Sequence, residues 1–236
     1  MDEGHDRRKA AEKIRGDRPS RVPGRPVRIA GWAALAALAV ALGAGTATAD
    51  SGGTPTTDEC ADARFGERTL RLGDCGDDVT TLNWVMKTKP YAGGIELDEQ
   101  FKNPTHTAVR ALQERAELNV TGIVNDRTRE ELKRSMVRKT ASWYGPGFWG
   151  NQTACGQKLK HKTVGVAHKK LPCGTKVTFN KGGRWLRTKV IDRGPYVHGR
   201  TWDLTQKAAE ALGMEYTESV RAAVIAKPGK GRDKRK

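Results

Sequence analysis

Near residue 138 the spacing of apolar side chains changes from a helical period to the two-residue period of a strand. One kind of layer cannot satisfy both periods, so two differently built units meet there. Upstream, Val79, Leu82, Val85 and Met86 fall at i, i+3, i+6 and i+7 behind Asp77 and Asp78, either of which can cap the helix. Pro104-Thr105 opens a second helical run through Ala108, Val109 and Leu112. Asn125 or Asp126 caps a third, through Leu132 and Met136. Val137 to Lys139 then reads as a connector. Downstream, Trp185, Arg187, Lys189 and Ile191 alternate with Leu186, Thr188 and Val190. Lys176–Phe179 and Arg221–Ile225 are further short strands, and one helix from about Thr205 to Leu212 stops at Gly213.

Charge divides the chain at the same place. The 236 residues carry a formal charge of +16. Residues 60–137 hold 12 basic and 13 acidic groups, whereas residues 138–236 hold 22 and 6. The second unit is therefore built to meet a polyanion. Residues 1–49 read as an export signal. A basic stretch from Arg7 to Arg28 precedes an apolar segment from Ile29 to about Gly45 and a small-residue cleavage site, Ala47-Thr48-Ala49. The apolar run is at the short limit for spanning a bilayer, which favours cleavage over a stable membrane anchor. A polyanion outside the cell is a wall or surface polymer, so nucleic acid is not the expected partner. Residues 50–59 form a Gly/Thr/Pro linker, and residues 228–236 a basic tail without apolar content.

Four cysteines in an exported chain fit disulfides, and three pairings exist. Proximity within the two blocks favours Cys60–Cys75 and Cys155–Cys173. Zinc is disfavoured by the wide spacing and the lack of a CxxC, and no other metal or cofactor is indicated. Between Ala141 and Thr205 only two residues are acidic, Asp192 and Asp203. Each sits at the end of a strand-like run among cations, a plausible place for an acid/base or ligand-binding group. Their structural alternatives are a turn contact or ion pair with Arg193 for Asp192, and a cap on the Thr205 helix for Asp203.

Two resemblances sharpen this. Residues 60–137 resemble the small three-helix peptidoglycan-binding domain of wall hydrolases, through Leu70-Arg-Leu-Gly-Asp-Cys-Gly-Asp-Asp-Val79, Leu82, Phe101, Thr105, Ala108-Val109, Leu112-Gln113 and Thr121-Gly-Ile-Val. Asp98, Gln100 and Arg110 are candidates for its groove. Residues 138–227 resemble the double-psi β-barrel of the RlpA (rare lipoprotein A) family, relatives of expansins. The matching motifs are Ala141-Ser-Trp-Tyr-Gly-Pro, Phe148-Trp-Gly-Asn, Thr153-Ala-Cys-Gly, Val166-Ala-His168, Leu171-Pro-Cys-Gly-Thr, Ile191-Asp-Arg-Gly-Pro and Gly199-Arg-Thr-Trp-Asp-Leu.

The expected architecture is thus α + β, a three-helix domain followed by a six-stranded double-psi barrel. The resemblance implies peptidoglycan glycan strands as substrate and, in catalytic members, a lytic transglycosylase reaction run by one carboxyl group. It places Asp192 at the acid/base position with His168 in the same groove. Tyr144, Trp149, Gln157, Arg193 and Asp203 then contact substrate. Catalytic members carry Glu where this chain has Gln157, and a carboxamide cannot exchange a proton near neutral pH. Trp149 also replaces a histidine usual there. Two readings stay open: a secreted transglycosylase acting through Asp192, and an expansin-like protein that binds or loosens the wall without cutting it.

Overall fold

The structure, a computed structural model, describes residues 60–225. The signal, the linker and the basic tail expected from the sequence lie outside these residues. Among the described residues four helices are present, three before the barrel and one within it: α1 Asp77–Met86, α2 Asn103–Arg115, α3 Asp126–Arg134 and α4 Gln206–Leu212. Six strands complete the fold: β1 Val137–Tyr144, β2 Val166–Ala167, β3 Lys176–Lys181, β4 Arg184–Asp192, β5 Trp202–Thr205 and β6 Glu218–Ile225.

The helix boundaries follow local chemistry. The Asn125 side chain accepts from the Thr128 amide and caps α3. Asp126 at the start of α3 and Lys133-Arg134 at its end complement the helix dipole. Pro104 sits in the first turn of α2, where its missing N–H costs nothing. The cap of α1 is neither Asp77 nor Asp78 but Gly76. Asp78 lies already inside the helix, and its carboxylate is held by Arg68 and the Val79 amide. Gly76 has φ of 141°, and a Cβ there would stand 2.3 Å from the Ala61 carbonyl oxygen. Only glycine fits.

Leu70, Val79, Leu82, Val85, Phe101, Val109, Leu112, Val124 and Leu132 form the core of the helical unit. Its buried polar groups close on one another. The Gln113 carboxamide donates to the Ile123 carbonyl (2.8 Å) and Thr128 Oγ1 (3.0 Å) and accepts from the Thr121 and Gly122 amides (3.0 and 2.8 Å). Asn83 likewise donates to the Asp98 and Gln100 carbonyls and accepts from Thr105. A Cys60–Cys75 disulfide fastens the N-terminal segment.

The strands close into a barrel in the order β1-β5-β2-β4-β3-β6. The β1/β5 and β2/β4 pairs are parallel and the other four antiparallel. Parallel pairing needs crossover connections: β3 and its flanking turns lie between β2 and β4, and the chain from the loop 145–165 through β4 lies between β1 and β5. Val166, Val177, Phe179, Val190, Trp202, Leu204 and Val220 fill the interior, and α4 seals it with Ala208 and Leu212. Thr205 caps α4 through the Ala208 amide, and Gly213 ends it in the left-handed region. Val137 to Lys139, expected as a connector, is the first half of β1 and pairs with Ala222 to Val220 on β6.

The two units also pack together. Phe65 meets Trp185 edge-on, with ring centroids 4.9 Å apart. Lys176 and Arg187 both cover the Trp84 ring, at 4.9 and 5.6 Å from its centroid, and Arg187 pairs with Asp77. These contacts use the start of β3 and the first half of β4. They leave the C-terminal end of β4, where Asp192 lies, uncovered by them.

Candidate active site

The strand registers set four positions in a row. Ser142 on β1 faces Asp203 on β5, Asp203 faces Ala167 on β2, and Ala167 faces Asp192 on β4. Residues opposite one another point to the same side of a sheet. The two aspartates therefore share a face, about 10 Å apart at the backbone, across a residue too small to screen them. Tyr144, two residues past Ser142, joins them.

Asp192 is held asymmetrically. Its Oδ1 accepts from the Ala154 amide and from the Arg193 amide, each at 2.8 Å. Its Oδ2 receives only the Tyr144 hydroxyl, at 3.3 Å. Two backbone donors on one oxygen make that edge the fixed acceptor and leave the other to face a ligand. The half-buried Tyr144 phenol is pushed well above its ordinary range, first by burial and then by the charge and hydrogen bond of Asp192, with Asp203 adding to both. It stays a neutral donor.

Asp203 accepts from Ser142 Oγ at 2.8 Å. Burial pushes its carboxyl up, Ser142 and Arg200 oppose this, and Asp192 adds to it. The helix-cap alternative for Asp203 fails because Thr205 performs that function. The ion-pair alternative for Asp192 fails too. The Arg193 guanidinium turns away, donating to the Leu171 carbonyl at 3.0 Å and to those of His168 and Asp192 at 3.4 Å. Arg193 braces the 168–173 loop and is not the carboxylate's partner.

His168 lies at the end of β2, and its amide donates to the Asp192 carbonyl at 3.2 Å. Its Nδ1 accepts from the Lys170 and Leu171 amides at 3.1 and 3.0 Å, so the neutral ring carries its proton on Nε2. Burial, aided by nearby Arg193, lowers its pKa and favours that neutral form. The ring stacks on Trp202, with centroids 4.6 Å apart.

The loop between β1 and β2 supplies the rest. Trp149 packs on Gly145, where a Cβ would stand 2.4 Å from the indole, and against His161, 4.4 Å between centroids. Gln157 lies in the tight turn Thr153–Gln157, whose Thr153 amide donates to the Gln157 carbonyl at 2.8 Å. That same turn presents the Ala154 amide to Asp192. The Cys155–Cys173 disulfide ties it to the loop that His168 and Arg193 brace.

Phe148, 54 % exposed, meets Tyr144 edge-on, and Tyr196, 81 % exposed, stands just past Asp192. Sequence reasoning missed Ser142, Ala154 and Tyr196 as site members. Ser142 was findable, because alternation along β1 puts it on the face of Tyr144. Ala154 acts through its backbone and leaves no side-chain signal. Among the helical candidates, Asp98 pairs with Lys102 and receives the Gln100 amide, whereas Arg110 reaches the Val120 carbonyl on a separate loop. The described residues hold no cluster of ligating side chains suited to a metal. None of their helices is long and apolar enough to cross a membrane.

Comparison with known proteins agrees with this architecture. Residues 136–226 match the family described as "Lytic transglycolase", and residues 75–132 the "Putative peptidoglycan binding domain". A protein of Aquifex aeolicus named "Probable endolytic peptidoglycan transglycosylase RlpA" is 48% identical over 80 residues, covering 33% of this chain and 35% of that one. The "Endolytic peptidoglycan transglycosylase RlpA" of Campylobacter jejuni is 43% identical over 89 residues, covering 36% and 32%. The chain thus spans about a third of the length of these relatives. A crystal structure of the apo Clavibacter michiganensis expansin aligns over 39% of this chain and 52% of its own, at 21% identity and a TM-score of 0.33. Residues 136–226 are thus similar to the "Lytic transglycolase" family and residues 75–132 to the "Putative peptidoglycan binding domain".

Proposed function

We propose that this protein is exported to the cell wall, binds peptidoglycan through both units, and cleaves its glycan strands as a lytic transglycosylase with Asp192 as acid and base. The observation that carries this is the one-sided grip on Asp192. Oδ1 is occupied by two backbone amides, and Oδ2 receives only the neutral Tyr144 phenol among the described residues. In the reaction the Oδ2 proton passes to the glycosidic oxygen as the C1–O bond breaks. The 6-hydroxyl of the same sugar closes on C1, and its proton returns to Oδ2. One carboxyl serves both steps and no water is consumed, unlike the paired-carboxylate hydrolases.

In this reading Asp203, held by Ser142, and the His168 Nε2–H bind sugar hydroxyls. Tyr144, Trp149 and the exposed Phe148 and Tyr196 offer ring faces to the glycan. Gln157, where catalytic relatives carry Glu, hydrogen-bonds the sugar without exchanging a proton. Arg193 acts indirectly, by fixing the loop. Linking two weak wall binders raises the effective concentration of each on the same polymer.

Gln157 favours a second reading, in which the groove grips glycan and the chemistry is lost. Digestion of purified peptidoglycan, intact and stripped of stem peptides, separates the two. The parent protein should release products with 1,6-anhydro-muramyl ends, detectable by mass spectrometry, and Asp192→Asn should not. Wall binding by both proteins with no anhydro product from either would establish the non-catalytic reading.

A further inference from the structure

From residue 141 to residue 191 the chain contains no Asp or Glu. Within that span Lys158, Lys160 and Lys162 lie on the loop between β1 and β2, and Lys169 and Lys170 on the loop after β2. All five are exposed. The barrel's ion pairs engage Lys181, Arg187 and Lys207 instead. The Cys155–Cys173 disulfide joins the two lysine loops. Both are also anchored to Asp192, one through the Ala154 amide and the other through the His168 amide. The five lysines therefore lie on two loops that a covalent link holds together and that both anchor on Asp192, and neither loop carries a carboxylate to neutralise them.

The composition of these loops narrows their partner. They hold five lysines and no arginine. A guanidinium fork demands bidentate geometry from a carboxylate or a phosphate, whereas an ammonium acts as a point charge and accepts a phosphodiester monoanion in any orientation. Three lysines at alternate positions on one loop present repeated charges to a repeated ligand. Two disulfides place the protein in an oxidising compartment, away from cytosolic nucleic acid. We propose that these two loops form a docking surface for a phosphodiester-linked wall polymer, which they hold alongside the glycan groove. This surface serves a cutting or a non-cutting protein equally.

The test measures binding of the full chain to fluorescent poly(glycerol phosphate) at low and at physiological salt. Poly-glutamate, a single-stranded oligonucleotide and a neutral chitin oligomer are the comparison probes. The variant is the triple Lys158→Gln, Lys160→Gln, Lys162→Gln. Its control is Arg64→Gln, Arg127→Gln, Lys139→Gln, which removes the same charge from exposed positions elsewhere.

The loop triple should lose about tenfold in affinity for the phosphodiester polymer, and the control far less, at unchanged thermal stability. Binding should weaken as salt rises, because exposed charges are screened. Equal losses in the two triples would reduce the surface to diffuse net charge and overturn the proposal. So would poly-glutamate bound as tightly as the phosphate polymer, or the oligonucleotide bound more tightly. Anhydro-product release from short, peptide-free glycan should be the same in the loop triple as in the parent. That readout keeps this test separate from the transglycosylase reading.

Discussion

The helical unit and the barrel treat their polar side chains in opposite ways. In the helical unit Gln113 uses both ends of its carboxamide, and Asn83 is bound from three directions, all within the core. Nothing in these networks is left to offer a ligand. In the barrel, Asp192 and Asp203 each fix one oxygen and leave the other lightly held or open to the groove. A closed network stabilises a fold, and a half-open one is a site. In the proposed function, the binding role of the helical unit therefore belongs to its loops, and the chemistry to the barrel.

The sharpest way to break this contrast is Asp192→Asn. The amide oxygen can still accept from Ala154 and Arg193, so the fold should survive with little change in melting temperature. Release of anhydro products should fall by about 10² to 10⁴. A variant that melted early while keeping its activity would make Asp192 a structural residue and dissolve the contrast.

The mirror-image test lies in the helical unit. Gln113→Leu orphans the buried Gly122 amide and leaves the Thr121 amide and the Ile123 carbonyl with one partner fewer. Unfolding measured in denaturant should show a loss of about 3 kcal/mol, since each orphaned buried group costs about 1–3 kcal/mol. Activity per folded molecule on short glycan should not change. A large catalytic loss at intact stability would show that the helical network reaches the site.

Tyr144→Phe comes next in size. It removes the donor on Asp192 Oδ2 but keeps the ring against Phe148. About a tenfold drop in kcat, with KM little altered, is expected if the hydroxyl orients the reacting oxygen. A rise in KM alone would make Tyr144 a platform for sugar and nothing more.

Much of the framework was legible from local signals. The Asn125 cap, the Gly213 stop, the strand through Ile191 and the near-neighbour cysteine pairs all depend on residues close in sequence. What escaped depends on residues brought together by closure of the barrel. Val137 is 60 % exposed and looks like linker until β6 arrives to pair with it. Arg193 follows Asp192 directly, yet its guanidinium is drawn to carbonyls more than twenty residues earlier. The Asp192 contacts reach back 38 residues to Ala154 and 48 to Tyr144. A cap is also a contest: the sequence offered Asp203 for α4, but Ser142 holds Asp203 on the neighbouring strand and Thr205 caps the helix instead.

The smallest expected effect separates the two units by the sign of a pH slope. In the barrel, burial raises the Asp203 pKa, and Asp192 adds to it against Ser142 and Arg200. The folded protein then holds this proton at a pH where the unfolded chain, near 3.9, has released it. The contribution of Asp203 is fully present below the unfolded value and is lost as pH rises through the folded one. In the helical unit, burial also pushes Asp98 upward, but hydrogen bonds from Lys102 and the Gln100 amide outweigh it and the pKa falls. Its contribution is present above the unfolded value and is lost as pH falls through the folded one. Melting curves of Asp203→Asn and Asp98→Asn against the parent, taken from acid to neutral pH, should therefore diverge. The Asp203 variant should gain on the parent as pH rises, because it has no charge to bury. The Asp98 variant should fall behind over the same range. Parallel curves would mean that the groove leaves Asp203 as well solvated as a surface carboxylate, and the barrel would lose one of the two half-open groups that set it apart.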